Sequence, residues 1–183
     1  MSVWSGHHFV WSGHNFATGA ASILLQQRRA LYPSSGKHFT TAAGTLATQR
    51  QANSTVNNLK KISELAHKKN AIVIGDGVSF APHGFPDVKE LGVDFYTFSL
   101  YKTYGPHLAL LYGREEILKK LPNQNHQFLE GNYPYTINPG GPNHEELASL
   151  IGIYEYMMEL YKHHFDNDGI EIREKISQIN DLI

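Results

Sequence analysis

The 183-residue chain contains no cysteine and carries a net charge of only −1. The lack of cysteine excludes disulfides, zinc–thiolate sites and cysteine nucleophiles within this chain. The small net charge provides no long-range attraction for nucleic acid or for an anionic membrane surface, so we expect neither as a partner.

Long apolar runs are also missing. None approaches the roughly 20 residues that a membrane-spanning helix needs, and the N-terminus lacks the basic-then-apolar order of a signal peptide. Hydrophobic residues nevertheless make up 41% of the chain and charged residues 18%, a balance that predicts a folded core. We therefore expect a soluble, cytoplasmic protein.

Residues 1–53 differ from the rest of the chain and are predicted to form an atypical N-terminal segment. The heptamer VWSGHHF at positions 3–9 is nearly repeated as VWSGHNF at positions 10–16. His7, His8 and His14 could bind a metal, since imidazole is a common ligand, but no carboxylate accompanies them. A surface extension or two turns anchored by aromatic residues are the alternative interpretations.

The remainder has the pattern of an α/β protein. Apolar residues recur at helical spacing from Val56 to Ala66, and Thr55 is a candidate helix cap. Three apolar runs are predicted as strands: Ala71–Ile74, Val93–Phe98 and Leu108–Tyr112. Strands that are apolar on both faces are typical of parallel sheets covered on both sides. We predict a mainly parallel sheet with flanking helices over residues 54–142, and a helical segment over residues 143–183.

Polar side chains follow two of the predicted strands. Asp76 follows the first strand, and Ser99 and Lys102 follow the second. Ligands of parallel α/β sheets bind beyond the carboxyl ends of the strands. A lysine there can form a Schiff base with an aldehyde, and pyridoxal phosphate also needs a carboxylate at its ring nitrogen and donors for its phosphate. The plainer alternative is an aspartate that forms a turn and a solvated lysine.

Two segments resemble the class V aminotransferase family, the fold-type-I, pyridoxal-phosphate-dependent group that includes the cysteine desulfurases and selenocysteine lyases. They are IVIGDGVSFAPHGFPDVKELGVDFYTFSLYKTYGPHLALLYGR and INPGGPNHEELASLIGIYEY. The interval from Asp76 to Lys102 is the one that the family pattern requires. The resemblance implies a transferase or lyase that acts on an amino acid, with part of the large domain of a fold-type-I enzyme in this chain.

The resemblance also implies roles for individual residues. Lys102 would form the Schiff base with pyridoxal 5′-phosphate, Asp76 would pair with the pyridine nitrogen, and Ser99 would bind the phosphate. Ser79 stands where many members have a glutamine near the ring hydroxyl. Tyr101 replaces the usual histidine on the phosphate side.

Two further positions match the family pattern. His83 corresponds to a family histidine, and a role in the turn or in packing is an equal alternative for it. Gly141 stands where the family often has a threonine that reaches the phosphate of the neighbouring subunit. Because such sites lie between subunits, the resemblance implies a homodimer.

Several parts of the family pattern are missing. Residues 1–53 provide no evident aromatic to stack on the ring and no phosphate-binding turn, and the desulfurases' nucleophilic cysteine is absent. The C-terminal domain with its carboxylate-binding arginine would begin near Ile183, so we expect an incomplete chain. The alternative function is a non-catalytic fragment or pseudoenzyme that keeps the fold and acts by association.

Overall fold

The computed structural model describes residues 8–11, 45–48, 56–132, 135–137 and 143–183. Its strands are β1 (His8–Trp11), β2 (Thr45–Thr48), β3 (Val73–Asp76), β4 (Phe95–Ser99) and β5 (Ala109–Gly113). Its α-helices are α1 (Leu59–His67), α2 (Val88–Leu91), α3 (Glu115–Leu118), α4 (His144–Ala148), α5 (Ile151–His164) and α6 (Ile172–Leu182). Short 3₁₀ turns lie at Ala81–His83, Leu100–Lys102, Gln127–Leu129 and Tyr135–Ile137.

The strands form one mixed sheet in the order β1-β5-β4-β3-β2. The β2–β3 and β3–β4 pairs are parallel, whereas β5 runs antiparallel to both β4 and β1. The predicted α/β class with flanking helices is confirmed. The β5 strand reverses direction because residues 100–108 are too few for a parallel crossover, which takes roughly a dozen residues or more.

The central strands bury both of their faces, as their apolar composition predicts. One face packs with α3 and its following turn in a cluster of Ile74, Phe95, Ala109, Leu111, Leu118 and Leu121. The other packs with α1 in a cluster of Leu59, Val73, Ala81, Val93, Tyr96, Phe98, Leu100 and Leu108. The sheet is therefore the middle layer of the fold.

Helix α1 begins later than the hydrophobic spacing predicts. The Asn58 side chain accepts a hydrogen bond from Lys61 N at 2.9 Å and caps the helix. Val56, predicted to lie on the apolar face, is exposed. The cap rather than the first apolar residue sets the start, because a side-chain oxygen at that position satisfies a free amide of the first turn.

The predicted long helix from Asn143 to Tyr161 is two helices, α4 and α5. The Ser149 hydroxyl donates to Glu146 O at 2.7 Å, and the following turn is held by the bonds Gly152 N to Ser149 O and Ile153 N to Leu150 O. These are bonds to the third preceding residue, which tighten the chain. A serine that bonds the backbone in this way competes with the regular helical pattern.

The last helix packs within the chain itself. Met157 and Tyr161 of α5 enclose Ile179 of α6, and all three are buried. Arg173 Nη1 of α6 lies 2.7 Å from Asp87 Oδ2, the residue that caps α2. Within the described ranges, no helix is long and apolar enough to cross a membrane.

Candidate functional site

The predicted site residues Asp76 and Ser99 lie at one edge of the sheet. Asp76 is the last residue of β3 and pairs in register with Thr97 of β4. Ser99 ends β4 and pairs with Ala109, where β5 starts. Residues two apart on a strand share a face. Asp76, Thr97 and Ser99 therefore lie on the same face of the sheet at its carboxyl edge.

Asp76 also shapes the turn that leaves β3. Its Oδ1 accepts a hydrogen bond from Val78 N at 3.0 Å, while Gly77 N donates to Thr97 O at 2.8 Å. This is the local aspartate turn expected when a short carboxylate follows a strand. The turn former and the candidate cofactor ligand are thus the same side chain, and the backbone of its turn is bonded to the neighbouring strand.

Two glycines flank Asp76, and both lie against the ring of Tyr96. A Cβ on Gly75 would lie 2.7 Å from Tyr96 Cδ2, and a Cβ on Gly77 would overlap the Tyr96 hydroxyl. Tyr96 is fully buried. Burial raises the pKa of its phenol, and the charge of Asp76 adds to that increase. The Asp76 turn therefore rests directly on a buried tyrosine.

Lys102 lies on a short turn after β4 that is held by one carbonyl. Leu100 O accepts hydrogen bonds from Thr103 N at 2.8 Å, from Thr103 Oγ1 at 2.9 Å and from Gly105 N at 2.9 Å. Thr103 is buried and Lys102 is exposed. The buried neighbour fixes the turn, so the lysine is presented to solvent from a rigid base.

Aromatic residues surround the Lys102 turn. The Tyr101 ring stacks on His107 with a centroid distance of 4.7 Å and an angle of 22°. Tyr104 has a φ of 66°, a conformation that costs about 1 kcal/mol or more for a residue with a Cβ, and its ring lies 5.2 Å from that of Tyr156. The strained Tyr104 backbone and the stacked Tyr101 restrict the loop on either side of Lys102.

The other predicted residues fall in two groups. Ser79 and His83 are exposed on the segment that follows Asp76. Gly141 lies outside the described residues, as do His7 and His14, two of the three histidines considered as metal ligands. His8 belongs to β1. In the part of the chain that the structure describes, no group of three or more His, Cys, Asp or Glu side chains could hold a metal ion.

Sequence reasoning missed three side chains at this edge. Tyr96 supports the Asp76 turn, and Thr103 anchors the Lys102 turn. The Thr97 hydroxyl is buried beside Asp76 in register and has no hydrogen-bond partner in the described structure. The glycines on both sides of Asp76 were a visible signal for a bulky neighbour, because glycine is favoured where another group approaches the backbone closely.

Comparison with known proteins identifies the family of the chain. The family model for aminotransferase class-V matches residues 35–177. The chain belongs to the class V aminotransferase family. The match begins upstream of Thr55, so the family likeness also covers part of the predicted N-terminal segment.

Members of the family include proteins that match parts of this chain. The aminotransferase-like protein FGM3 of Gibberella zeae is 42% identical over 102 residues, which are 55% of this chain and 23% of the relative. A probable cysteine desulfurase of Halalkalibacterium halodurans is 46% identical over 68 residues, which are 37% of this chain and 17% of the relative. The chain thus spans less than a quarter of the length of each of these curated relatives.

Solved family structures share the fold. The cysteine desulfurase CsdA of Escherichia coli matches with a TM-score of 0.58 and 23% identity, over 75% of this chain and 35% of that one. A cysteine desulfurase of Thermococcus onnurineus matches with a TM-score of 0.52 and 18% identity, over 76% of this chain and 40% of that one. The fold is that of the fold-type-I cysteine desulfurases.

Proposed function

We propose that this chain carries the cofactor-binding part of a pyridoxal-phosphate-dependent transferase or lyase that acts on an amino acid, with Lys102 as the attachment residue. The supporting observation is the sheet edge at which Asp76 and Ser99 end neighbouring parallel strands and the Lys102 turn follows Ser99. Bound pyridoxal phosphate supplies an electron-withdrawing ring that stabilises negative charge on the substrate carbon.

The residues at the edge fit such a group. The donor set combines a carboxylate, hydroxyls and an amine at the ends of two neighbouring strands. The Asp76 carboxylate is suited to hold a proton on a ring nitrogen, since an opposite charge favours the protonated form. The buried, unpartnered Thr97 hydroxyl beside it is a group for which a bound ligand would provide an explanation.

The remaining residues are proposed to contact the phosphate group and to transfer protons. The Ser99 hydroxyl can donate to a phosphate oxygen, and the Tyr101 phenol takes the position where the family has a histidine. The Lys102 amine is the group that can attach the cofactor and then accept or return a proton of the substrate. Ser79 and Gly141 are proposed to complete the ring and phosphate contacts. Gly141 would act across a homodimer interface, and both the dimer and a cytoplasmic location stay predictions.

The test is covalent trapping of the cofactor. Purified chain is incubated with pyridoxal phosphate, its visible absorbance is recorded, and the mixture is reduced with borohydride before peptide mapping. We expect a stoichiometric adduct on Lys102 that is lost in Lys102→Ala. Lys69→Ala is the matched control, because Lys69 is also exposed but follows α1 rather than β4.

Two outcomes would contradict the proposal. An absence of adduct, or an adduct that is equally abundant in Lys102→Ala and Lys69→Ala, would show that Lys102 is not the attachment site. If the adduct forms, a screen of amino acids for changes in the absorbance separates the enzyme from the alternative. A chain that binds the cofactor but processes no amino acid would be the non-catalytic form.

A further inference from the structure

We infer that Tyr96 is a positioning residue whose buried ring holds the Asp76 carboxylate at the height and angle needed to meet a cofactor ring; this inference rests on the proposed function. The sequence motifs give Tyr96 no role, because it belongs to a strand interior and its side chain lies on the face of the sheet opposite Asp76. The packing beneath the Asp76 turn gives it one.

The first step is steric. The Tyr96 ring fills the space where side chains of residues 75 and 77 would lie: a Cβ at 75 would be 2.7 Å from Cδ2 and 3.2 Å from Cε2, and a Cβ at 77 would overlap the hydroxyl and the two ring carbons nearest to it. The backbone on both sides of Asp76 therefore packs against one ring, that of Tyr96. Protein interiors are close-packed, so removing such a ring lets the backbone above it shift.

The second step concerns what the backbone position controls. Asp76 has a short side chain, and its Oδ1 is already bound to Val78 N within the turn. The carboxylate cannot compensate for a displaced backbone by changing rotamer without breaking that bond. A misplacement of about 1 Å is enough to weaken a functional contact strongly. The height of the Gly75–Gly77 backbone above Tyr96 therefore sets the position of the carboxylate.

The third step concerns rigidity. Tyr96 is itself immobilised, since it is fully buried and packs edge-on against Phe98 with a centroid distance of 6.3 Å. Gly75 and Tyr96 are also register partners in the β3–β4 ladder. The ring and the turn are thus linked both by the sheet and by direct contact, and the support moves only if the sheet does.

The cofactor-free test is a double-mutant cycle on thermal stability in the full chain. Gly77→Ala is expected to lower the Tm by several degrees because its Cβ meets the Tyr96 ring. Tyr96→Val also lowers the Tm, but Gly77→Ala added to Tyr96→Val should lower it little further. Contacting residues give such non-additive losses. Gly152→Ala is the matched control, since a Cβ there meets nothing within 4 Å, and its Tm should not fall.

The functional test measures cofactor binding through the same residues. Tyr96→Val and Asp76→Asn should each weaken pyridoxal phosphate binding about tenfold, which is one step of 1.4 kcal/mol, and should displace the visible absorbance in the same direction. Tyr96→Phe, which keeps the ring, should bind within about twofold of the unaltered chain. In the Asp76→Asn background, Tyr96→Val should change neither the affinity nor the spectrum further, because its effect acts through Asp76.

The outcomes separate the two proposals. If the unaltered chain forms no adduct on Lys102, the proposed function fails and the role of Tyr96 in it fails as well. If the adduct forms but Tyr96→Val weakens binding by the same factor in the unaltered and the Asp76→Asn backgrounds, the inference alone is overturned. The inference is also overturned if the stability losses of Gly77→Ala and Tyr96→Val add.

Discussion

Replacement of Asp94 tests how far a network of polar contacts at the amino edge of the sheet stabilises the fold. Asp94 precedes β4 at the amino edge of the sheet and is only 3% exposed. Its Oδ2 accepts from Val73 N at 2.7 Å and lies 2.9 Å from His67 Nε2, and its Oδ1 accepts from Arg114 Nη1 at 3.1 Å. One buried carboxylate thus joins α1, β3 and the segment before α3.

The size of the effect follows from these contacts. Asp94→Ala leaves the buried Val73 amide without its partner, at a cost of about 1–3 kcal/mol. It also removes the ion pair to Arg114, which adds about 0.5–1 kcal/mol because the guanidinium is 40% exposed. Together these give a loss of about 3 kcal/mol.

The assay is urea unfolding followed by circular dichroism. With an m-value of about 2 kcal/mol/M, the midpoint of Asp94→Ala should fall by about 1.5 M. Asp94→Asn should lose about 2 kcal/mol, because Val73 N or Arg114 Nη1 then faces an amide NH₂ instead of an oxygen. Asp166→Asn is the matched control: this aspartate is exposed, and its change should stay within about 0.5 kcal/mol.

A loss below about 1 kcal/mol in Asp94→Ala would refute this reasoning, because it would mean that the amide and the guanidinium find other partners or water. The cofactor assay provides an independent check. Asp94 lies about 16 Å from Ser99 along β4 at the usual rise per residue. The folded variant should therefore still form the adduct on Lys102.

Two further predictions concern the start of helix α2 and the Lys102 turn. The hydrogen bond from Glu90 N and the charge of Arg173 hold the pKa of Asp87 below its ordinary value of 3.8. Asp87→Ala should cost about 1 kcal/mol at pH 7, because it removes the cap of α2. A carboxylate with a lowered pKa stabilises the fold only while it is ionised, so the difference in Tm between the two chains should shrink as the pH falls below about 4. A constant difference down to pH 2 would contradict this assignment. Thr103→Val removes the hydrogen bond from the buried hydroxyl to Leu100 O, which should cost about 1 kcal/mol of stability and lower the yield of trapped Lys102 adduct. Thr103→Ser keeps the hydroxyl and should restore both the stability and the yield. Equal yields in the unaltered chain and in both variants would show that this bond does not position the lysine.

The presence and the order of the three central strands could be predicted from the amino-acid sequence alone, although each strand begins and ends one or two residues later than predicted. The apolar runs around Ile74, Phe95 and Leu111 are short and bounded by turn residues, which is the pattern of buried strands. Their central position in the sheet follows from being apolar on both faces. Asp76 and Ser99, which are predicted to follow the first two strands, are the last residues of β3 and β4, since a polar residue that closes an apolar run is a local signal.

The pairing of these strands and the support of the site depend on contacts that no local pattern reports. The direction of β5, the addition of β1 and β2 to opposite ends of the sheet, and the meeting of Asp94 with His67 and Arg114 all join residues distant along the chain. Periodicity reports which face of an element is buried but not which partner covers it. Tyr96 under the Asp76 turn is the clearest case, because the two glycines are visible in the sequence but only the fold shows that the Tyr96 ring lies against both of them.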